Sequence, residues 1–443
     1  MYDHLFFKVI HRIAMNSPEL LSPAGSLKHA RYAFAYGADA VYAGQPRYSL
    51  RVRNNEFSVE KLCEGIALAH ALGKKFFIAS NVIPHDNKVK TYLRDMEPII
   101  GMAPDALIMA DPGLIMLIRE RWPDVPVHLS VQANTLNSAS VKFWQAVGVK
   151  RIILSRELSL DEIEEIRQQC PDIELEVFVH GALCIAYSGR CLLSGYFNRR
   201  DSNQGACTNS CRWKYNLHEA VEDETGDVQQ ATQAGTSAAY LLEELERPGA
   251  LMPIEEDEHG TYIMNSKDLR AVQHVHRLIE IGIDSLKIEG RTKSSFYAAR
   301  TAQIYRQAIN DSLAGRPFNM DLMLSLDGLA NRGYTEGFYR RHVPEDYQNY
   351  RTSSSDNHSQ RVVGEILSMD AETRLAEVEI KNKLVVGDQV ELMYPGGSHH
   401  FVLEAMQDRS GKAVDIAPGS GYQVRIEIPH GLNPEYGLLM ATL

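Results

Sequence analysis

Short apolar runs recur along the first two thirds of the chain, and stretches with a helical repeat of apolar positions separate most of them. The runs at 19–22, 40–43, 75–80, 106–110, 127–131, 151–155, 175–179 and 285–288 read as eight strands. Phe76-Phe77-Ile78, Ile152-Ile153-Leu154 and Val177-Phe178-Val179 are continuous rather than alternating, as strands buried on both faces require. The amphipathic segments 27–36, 59–72, 89–102, 113–121, 138–147 and 160–169 read as helices, several of them after the capping residues Ser26, Ser58, Asp111-Pro112 and Ser159. Eight β/α units predict a closed (β/α)8, TIM-like barrel over 19–346, with an open doubly wound sheet as the rival.

The regularity breaks after the seventh strand. About 100 residues precede the eighth, far more than an ordinary βα loop needs. This insertion, 182–284, is expected to hold a hairpin turning at 257–260 and a helix over 268–281. Long insertions at the carboxyl ends of barrel strands usually build the functional site. Residues 347–360 are rich in Ser, Asn and Tyr and read as a linker. Beyond them the period becomes two, at 361–367, 375–380, 389–394, 400–406 and 422–428, which predicts a small antiparallel β-barrel domain over 361–443. Residues 1–18 read as a leader without the h-region and cleavage site of a signal peptide.

The composition is that of an ordinary globular protein, and no apolar run is long enough to span a membrane. A cytoplasmic location is expected. The formal net charge of −11 argues against a protein that coats nucleic acid by bulk electrostatics, though not against a local basic site. Much of the acidity lies at 218–260.

Six cysteines in a large chain without a secretory signal read as thiols or metal ligands. Cys63 and Cys170 stand alone in helical patterns, whereas Cys184, Cys191, Cys207 and Cys211 fall close together inside the polar insertion. Four thiolates make a closed site for zinc or for an iron–sulfur cluster, and their spacing leaves both open. The paired C-x2-C spacing usual for zinc is absent.

The segment EVFVHGALCIAYSGRCLLS at 176–194 resembles the signature of the collagenase-like peptidase family, also called U32. Further blocks resemble the tRNA-hydroxylating bacterial branch of that family: ELLSPAG at 19–25, YGADAVYAG at 36–44, LSVQAN at 129–134, SLKIEGR at 285–291 and NRGYTEG at 331–337. The resemblance implies an iron–sulfur cluster, expected as 4Fe-4S, on Cys184, Cys191, Cys207 and Cys211. It also implies formation of 5-hydroxyuridine at the anticodon wobble position of tRNA, with prephenate as co-substrate.

Other residues invite chemistry without deciding it. His180 ends the seventh strand, either as a catalytic group or as a histidine that orients the insertion. Lys287 and Glu289 share a strand face as i and i+2, either as an internal ion pair or as an acid–base pair against uracil. Arg47, Arg51, Arg53, Arg156 and Arg291 follow strand ends and are expected to gather at one rim. There they would bind the carboxylates of prephenate or a similar dicarboxylate, or the phosphates of a tRNA anticodon loop. Tyr48, Tyr187 and Tyr196 are candidates for stacking on an unpaired base, with packing as the plainer role. The alternatives to a hydroxylase are a U32-type peptidase, or a metal-binding assembly or scaffold protein. The C-terminal domain is either an RNA-docking module or a structural cap.

Overall fold

The computed structural model describes residues 17–50, 56–183, 267–329, 331, 333–340 and 360–442, together with the backbone of five short strands between 220 and 262. The four clustered cysteines, Arg51, Arg53, Tyr187, Tyr196, the leader to residue 16 and positions 341–359 lie outside the described residues.

Eight parallel strands form the first unit: β1 (Glu19–Pro23), β2 (Ala40–Gly44), β3 (Lys75–Ser80), β4 (Ala106–Met109), β5 (Val127–Leu129), β6 (Arg151–Ile153), β7 (Glu174–Ala182) and β8 (Ser285–Ile288). Each pairs with the next, and β8 pairs with both β7 and β1, with Ser285 opposite Glu176 on one side and Glu19 on the other. That double pairing closes the sheet and removes the open-sheet alternative.

The helices that follow the strands are α1 (Leu27–Ala35), α2 (Val59–Ala71), α3 (Asp86–Gly101), α4 (Pro112–Arg121), α5 (Ser138–Ala146), α6 (Leu160–Gln169), α7 (Val275–Ile281) and α8 (Ser295–Leu313). Their starts follow the caps read from the sequence. Ser26, Ser58 and Asp111 each accept a first-turn backbone N–H, and Ser159 with Glu162 makes a reciprocal capping box. No helix among the described residues is long and apolar enough to cross a membrane.

Among the described residues, the insertion departs from expectation over 268–281. The hairpin at 257–260 is present, with Asp257 opposite Gly260. The helix over 268–281, however, begins only at Val275, because Asp268–Arg270 forms a strand antiparallel to the end of β7. That strand satisfies the edge β7 presents where it outruns the barrel, at Ala182, Gly181 and His180.

The C-terminal unit is a seven-stranded antiparallel sheet. Its strand Gly397–Val402 lies earlier than the 400–406 expected, and Leu438–Thr442, missed in the sequence pattern, runs between two others near the middle of the sheet. The sheet packs on α1 and α8. Arg300 of α8 reaches Glu391 at 2.8 Å with both side chains buried. Tyr32 donates to Glu365, which also pairs with Lys28, and Tyr36 donates to the Met393 carbonyl. The domain thus braces the two helices that start beside the ends of β1 and β8.

Candidate active site at the barrel mouth

The barrel interior is charged where such barrels usually carry branched apolar residues. Arg151 on β6 donates to Glu19 on β1 at 2.6 Å, and because those strands are not neighbours the bond crosses the barrel. The same guanidinium reaches Glu176 on β7 at 3.0 Å, and Glu176 accepts from Lys287 Nζ at 2.7 Å. Lys75 closes the lower end on Glu19 at 3.0 Å. Burial works against the charge on Glu19, but Arg151 and Lys75 outweigh it and hold the carboxyl below its usual range. Burial likewise draws Lys287 down, opposed by Glu176 and Glu289. The internal ion pair suggested for Lys287 therefore exists, but its partner is Glu176 rather than Glu289.

Above this column lies the mouth. Lys287 Nζ sits 4.3 Å from the Tyr42 ring centroid and 5.6 Å from that of Phe178, so two aromatic walls flank an ammonium floor. The Tyr42 hydroxyl lies 3.0 Å from the Ile288 carbonyl and 3.0 Å from Glu289 Oε2. Burial pushes the Tyr42 phenol well above its ordinary value, so it stays protonated and donates. Arg291 donates to Ser49 Oγ at 2.7 Å and stands 5.6 Å from the Tyr42 ring. Arg156 lies over Phe178, 3.8 Å from the ring centroid.

The loop carrying Glu289 and Arg291 is fixed by its own backbone. Glu289 N–H donates to the His180 carbonyl at 2.9 Å, and the Glu289 carbonyl accepts from Tyr297 Oη at 2.6 Å. Gly181, at φ +104°, has no room for a side chain, since a Cβ would stand 2.3 Å from the Glu289 carbonyl oxygen. Gly25 is equally close to the next turn, its hypothetical Cβ 2.2 Å from the Arg291 carbonyl. The ends of β1, β7 and β8 are thereby locked together.

Three residues weighed for chemistry in the sequence take the plainer of their two readings here. His180 ends β7 as expected, but the register of β7 skips a residue between Phe178 and His180, and the imidazole does not line the mouth. It packs against Tyr297 and Tyr305 of α8 and against Tyr334, with only 1% of its surface exposed. Arg47 pairs with Asp95 of α3 at 2.6 Å, so its charge is engaged there. Tyr48 is a core residue, edge-on to Tyr92 and bonded to Asp95, which leaves no face for a base. Conversely, Tyr42, Phe178, Glu176 and Arg151 were not singled out. The signal lay in strand parity, since Glu176 and Phe178 share a face with each other, as do Lys287 and Glu289.

Burial lowers His180 to about 3, helped by Arg270 and Lys293, and drives His128 inside the barrel well below its ordinary value. Both are neutral in the folded protein, while the unfolded chain takes up protons below about pH 6.5. Stability contributed by neutral burial is thus complete above that pH and is lost as pH falls below it, for His180 until about pH 3, at up to about 1.4 kcal/mol per pH unit. The urea midpoint should fall from pH 7 to pH 5, and His180→Asn, which cannot titrate, should show a shallower fall.

Among known proteins, the family model described as peptidase family U32 matches residues 25–349, and that of the U32 C-terminal domain matches 358–440. The chain is 59% identical over 440 residues to tRNA hydroxylation protein P of Escherichia coli, covering 96% of this chain and 97% of that one. It is 57% identical over 443 residues to tRNA hydroxylation protein P of Haemophilus influenzae, covering 96% of each. Over 353 residues it is 32% identical to 23S rRNA 5-hydroxycytidine C2501 synthase of E. coli, covering 80% of this chain and 47% of the relative. With family models spanning both the barrel and the C-terminal sheet, the chain belongs to peptidase family U32.

Proposed function

We propose that this protein is a tRNA-modifying hydroxylase that forms 5-hydroxyuridine at the anticodon wobble position, with prephenate as co-substrate. The observation that carries the reading is 59% identity, end to end, with a relative named for tRNA hydroxylation. A more distant relative named as a 5-hydroxycytidine synthase supports the same change at the same ring position of a pyrimidine. The conversion replaces C5–H by C5–OH and withdraws two electrons from the ring, so a two-electron oxidant and a source of the oxygen atom, in one reagent or two, are required co-reactants.

The metal group in this reading is an iron–sulfur cluster on Cys184, Cys191, Cys207 and Cys211. The donor set fits, since four thiols leave no weak ligand, and zinc is the alternative it also accommodates. Leu183, the last described residue before Cys184 in the chain, follows the end of β7. A bound cluster would supply electron transfer or Lewis acidity.

The rest is the work of the chain's own side chains. An anticodon base unstacks at modest cost and enters the barrel mouth. Arg156 and Arg291 bring positive charge to the rim of a protein that is acidic overall, and Arg291 suits the carboxylate of the co-substrate or a phosphate. Glu289 is the carboxylate placed to take the C5 proton, with Tyr42 donating to it and Lys287 holding positive charge below. His180 acts as a positioning residue through its carbonyl and through the tyrosines around its ring.

The test is nucleoside analysis of tRNA from cells deleted for the gene, with and without this chain restored. Restoration of 5-hydroxyuridine is expected, and purified protein should require prephenate to form it. Unchanged tRNA alongside cleavage of gelatin by the pure protein would instead favour a peptidase.

A further inference from the structure

We propose that Arg156, lying on Phe178, is the platform on which the target pyrimidine stacks, and not a clamp for phosphate or carboxylate. The inference rests on the hydroxylase reading and names how its substrate is held.

Arginines around the barrel are mostly committed. Arg151 binds Glu19, Glu174 and Glu176, Arg291 donates to Ser49, and Arg47 pairs with Asp95. Arg156 is half-buried and has neither ion pair nor hydrogen bond among the described residues. What holds it is the ring of Phe178, 3.8 Å from the guanidinium carbon to the centroid. At that separation the ring lies against one face of the guanidinium, and the proposal puts the base on the opposite face. Guanidinium planes are regular stacking partners for unpaired bases.

The platform is rigid. The Phe178 carbonyl accepts from Tyr339 Oη at 2.5 Å, Phe178 pairs with Lys287 of β8, and the pairing of β7 with β6 runs up to Glu176, two residues before it. Across the mouth stand the Tyr42 ring and Arg291, with Lys287 between the two walls. The Tyr42 hydroxyl is spent on Glu289 and the Ile288 carbonyl, so the donors facing the slot are an ammonium and a guanidinium. A ring edged with carbonyl oxygens, as uracil is at C2 and C4, matches them, whereas the exocyclic amine of cytosine would oppose donor to donor. Among the described residues Glu289, which also accepts from Tyr42, is the acceptor named for N3–H or for the C5 proton.

The experiment compares wild type, Arg156→Lys, Arg156→Ala and Phe178→Leu on an anticodon stem–loop RNA carrying either uridine or an abasic site at the target position. Binding is read across a salt series, and hydroxylation as kcat/KM. Stacking predicts that Arg156→Lys, which keeps the charge and loses the plane, falls nearly as far as Arg156→Ala, roughly five- to 150-fold. Phe178→Leu should fall in the same direction, with its urea midpoint confirming that the barrel is intact. The abasic RNA should bind wild type more weakly by a similar factor and make little difference to Arg156→Lys, with the salt slope of binding unchanged.

A phosphate clamp predicts instead that Arg156→Lys stays near wild type and that Arg156→Ala flattens the salt slope by about one. A carboxylate clamp predicts a raised KM for prephenate with RNA binding intact. Either result overturns the proposal. Failure of wild type to hydroxylate any tRNA would sink the hydroxylase reading separately, while the abasic comparison would still report on stacking.

Discussion

Alanine at Cys184, Cys191, Cys207 or Cys211, one at a time, is expected to give a folded, colourless protein that no longer modifies tRNA. A four-thiolate site has no spare ligand, so removing one opens the metal to solvent and to loss. The fold should survive, because the ring of hydrogen bonds from β1 around to β8 uses none of these residues. Absorption spectra with iron and sulfide analysis give the first readout, circular dichroism the second, and 5-hydroxyuridine in tRNA the third. The remaining cysteines serve as controls. Cys63 is exposed on α2, and Cys170 sits at the end of α6 with its sulfur 3.6 Å from the Ser138 carbonyl, so alanine at either should leave colour and activity unchanged. A variant in the set of four that keeps both cluster and full modification would remove that residue from the ligands. A colourless wild type carrying zinc would replace the redox centre with a structural metal.

The barrel was legible because strands buried on both faces must be apolar throughout, and β3, β6 and β7 announce themselves in that way. The same rule explains what was missed. Leu438–Thr442 lies between two strands with Leu438 to Ala441 all buried, so it shows no alternation to mark it as part of an antiparallel sheet. The site was legible only in part, because its contacts join residues far apart in sequence. Lys287 and Glu289 look like partners from their spacing, but Glu176 is brought to Lys287 by the closing of β8 on β7. His180 turns away from the mouth at a register shift of one residue, which no periodicity reveals. Tyr42 and Phe178 sit inside apolar runs and read as packing. Their role at the mouth appears once Lys287, Arg156 and Arg291 are seen around their rings.

Glu176 carries the second large effect, and on stability before activity. Its side chain is fully buried and divides its two oxygens between Arg151 and Lys287. Glu176→Leu leaves the Lys287 ammonium in the barrel without its ion-pair partner and takes one of three carboxylates from Arg151. Breaking a buried pair from one side costs about 3–5 kcal/mol, because the remaining charge keeps its desolvation penalty without its compensation. The urea midpoint of Glu176→Leu should fall accordingly. Replacing both partners, as Glu176→Leu with Lys287→Met, should recover most of that loss, since an apolar pair of similar volume carries no such penalty and Arg151 still has Glu19 and Glu174. Activity should not return with stability, because the ammonium between Tyr42 and Phe178 is gone. A double variant that is stable and still hydroxylates tRNA would mean that Lys287 serves the barrel alone, and that the charge beneath the mouth has no part in the reaction.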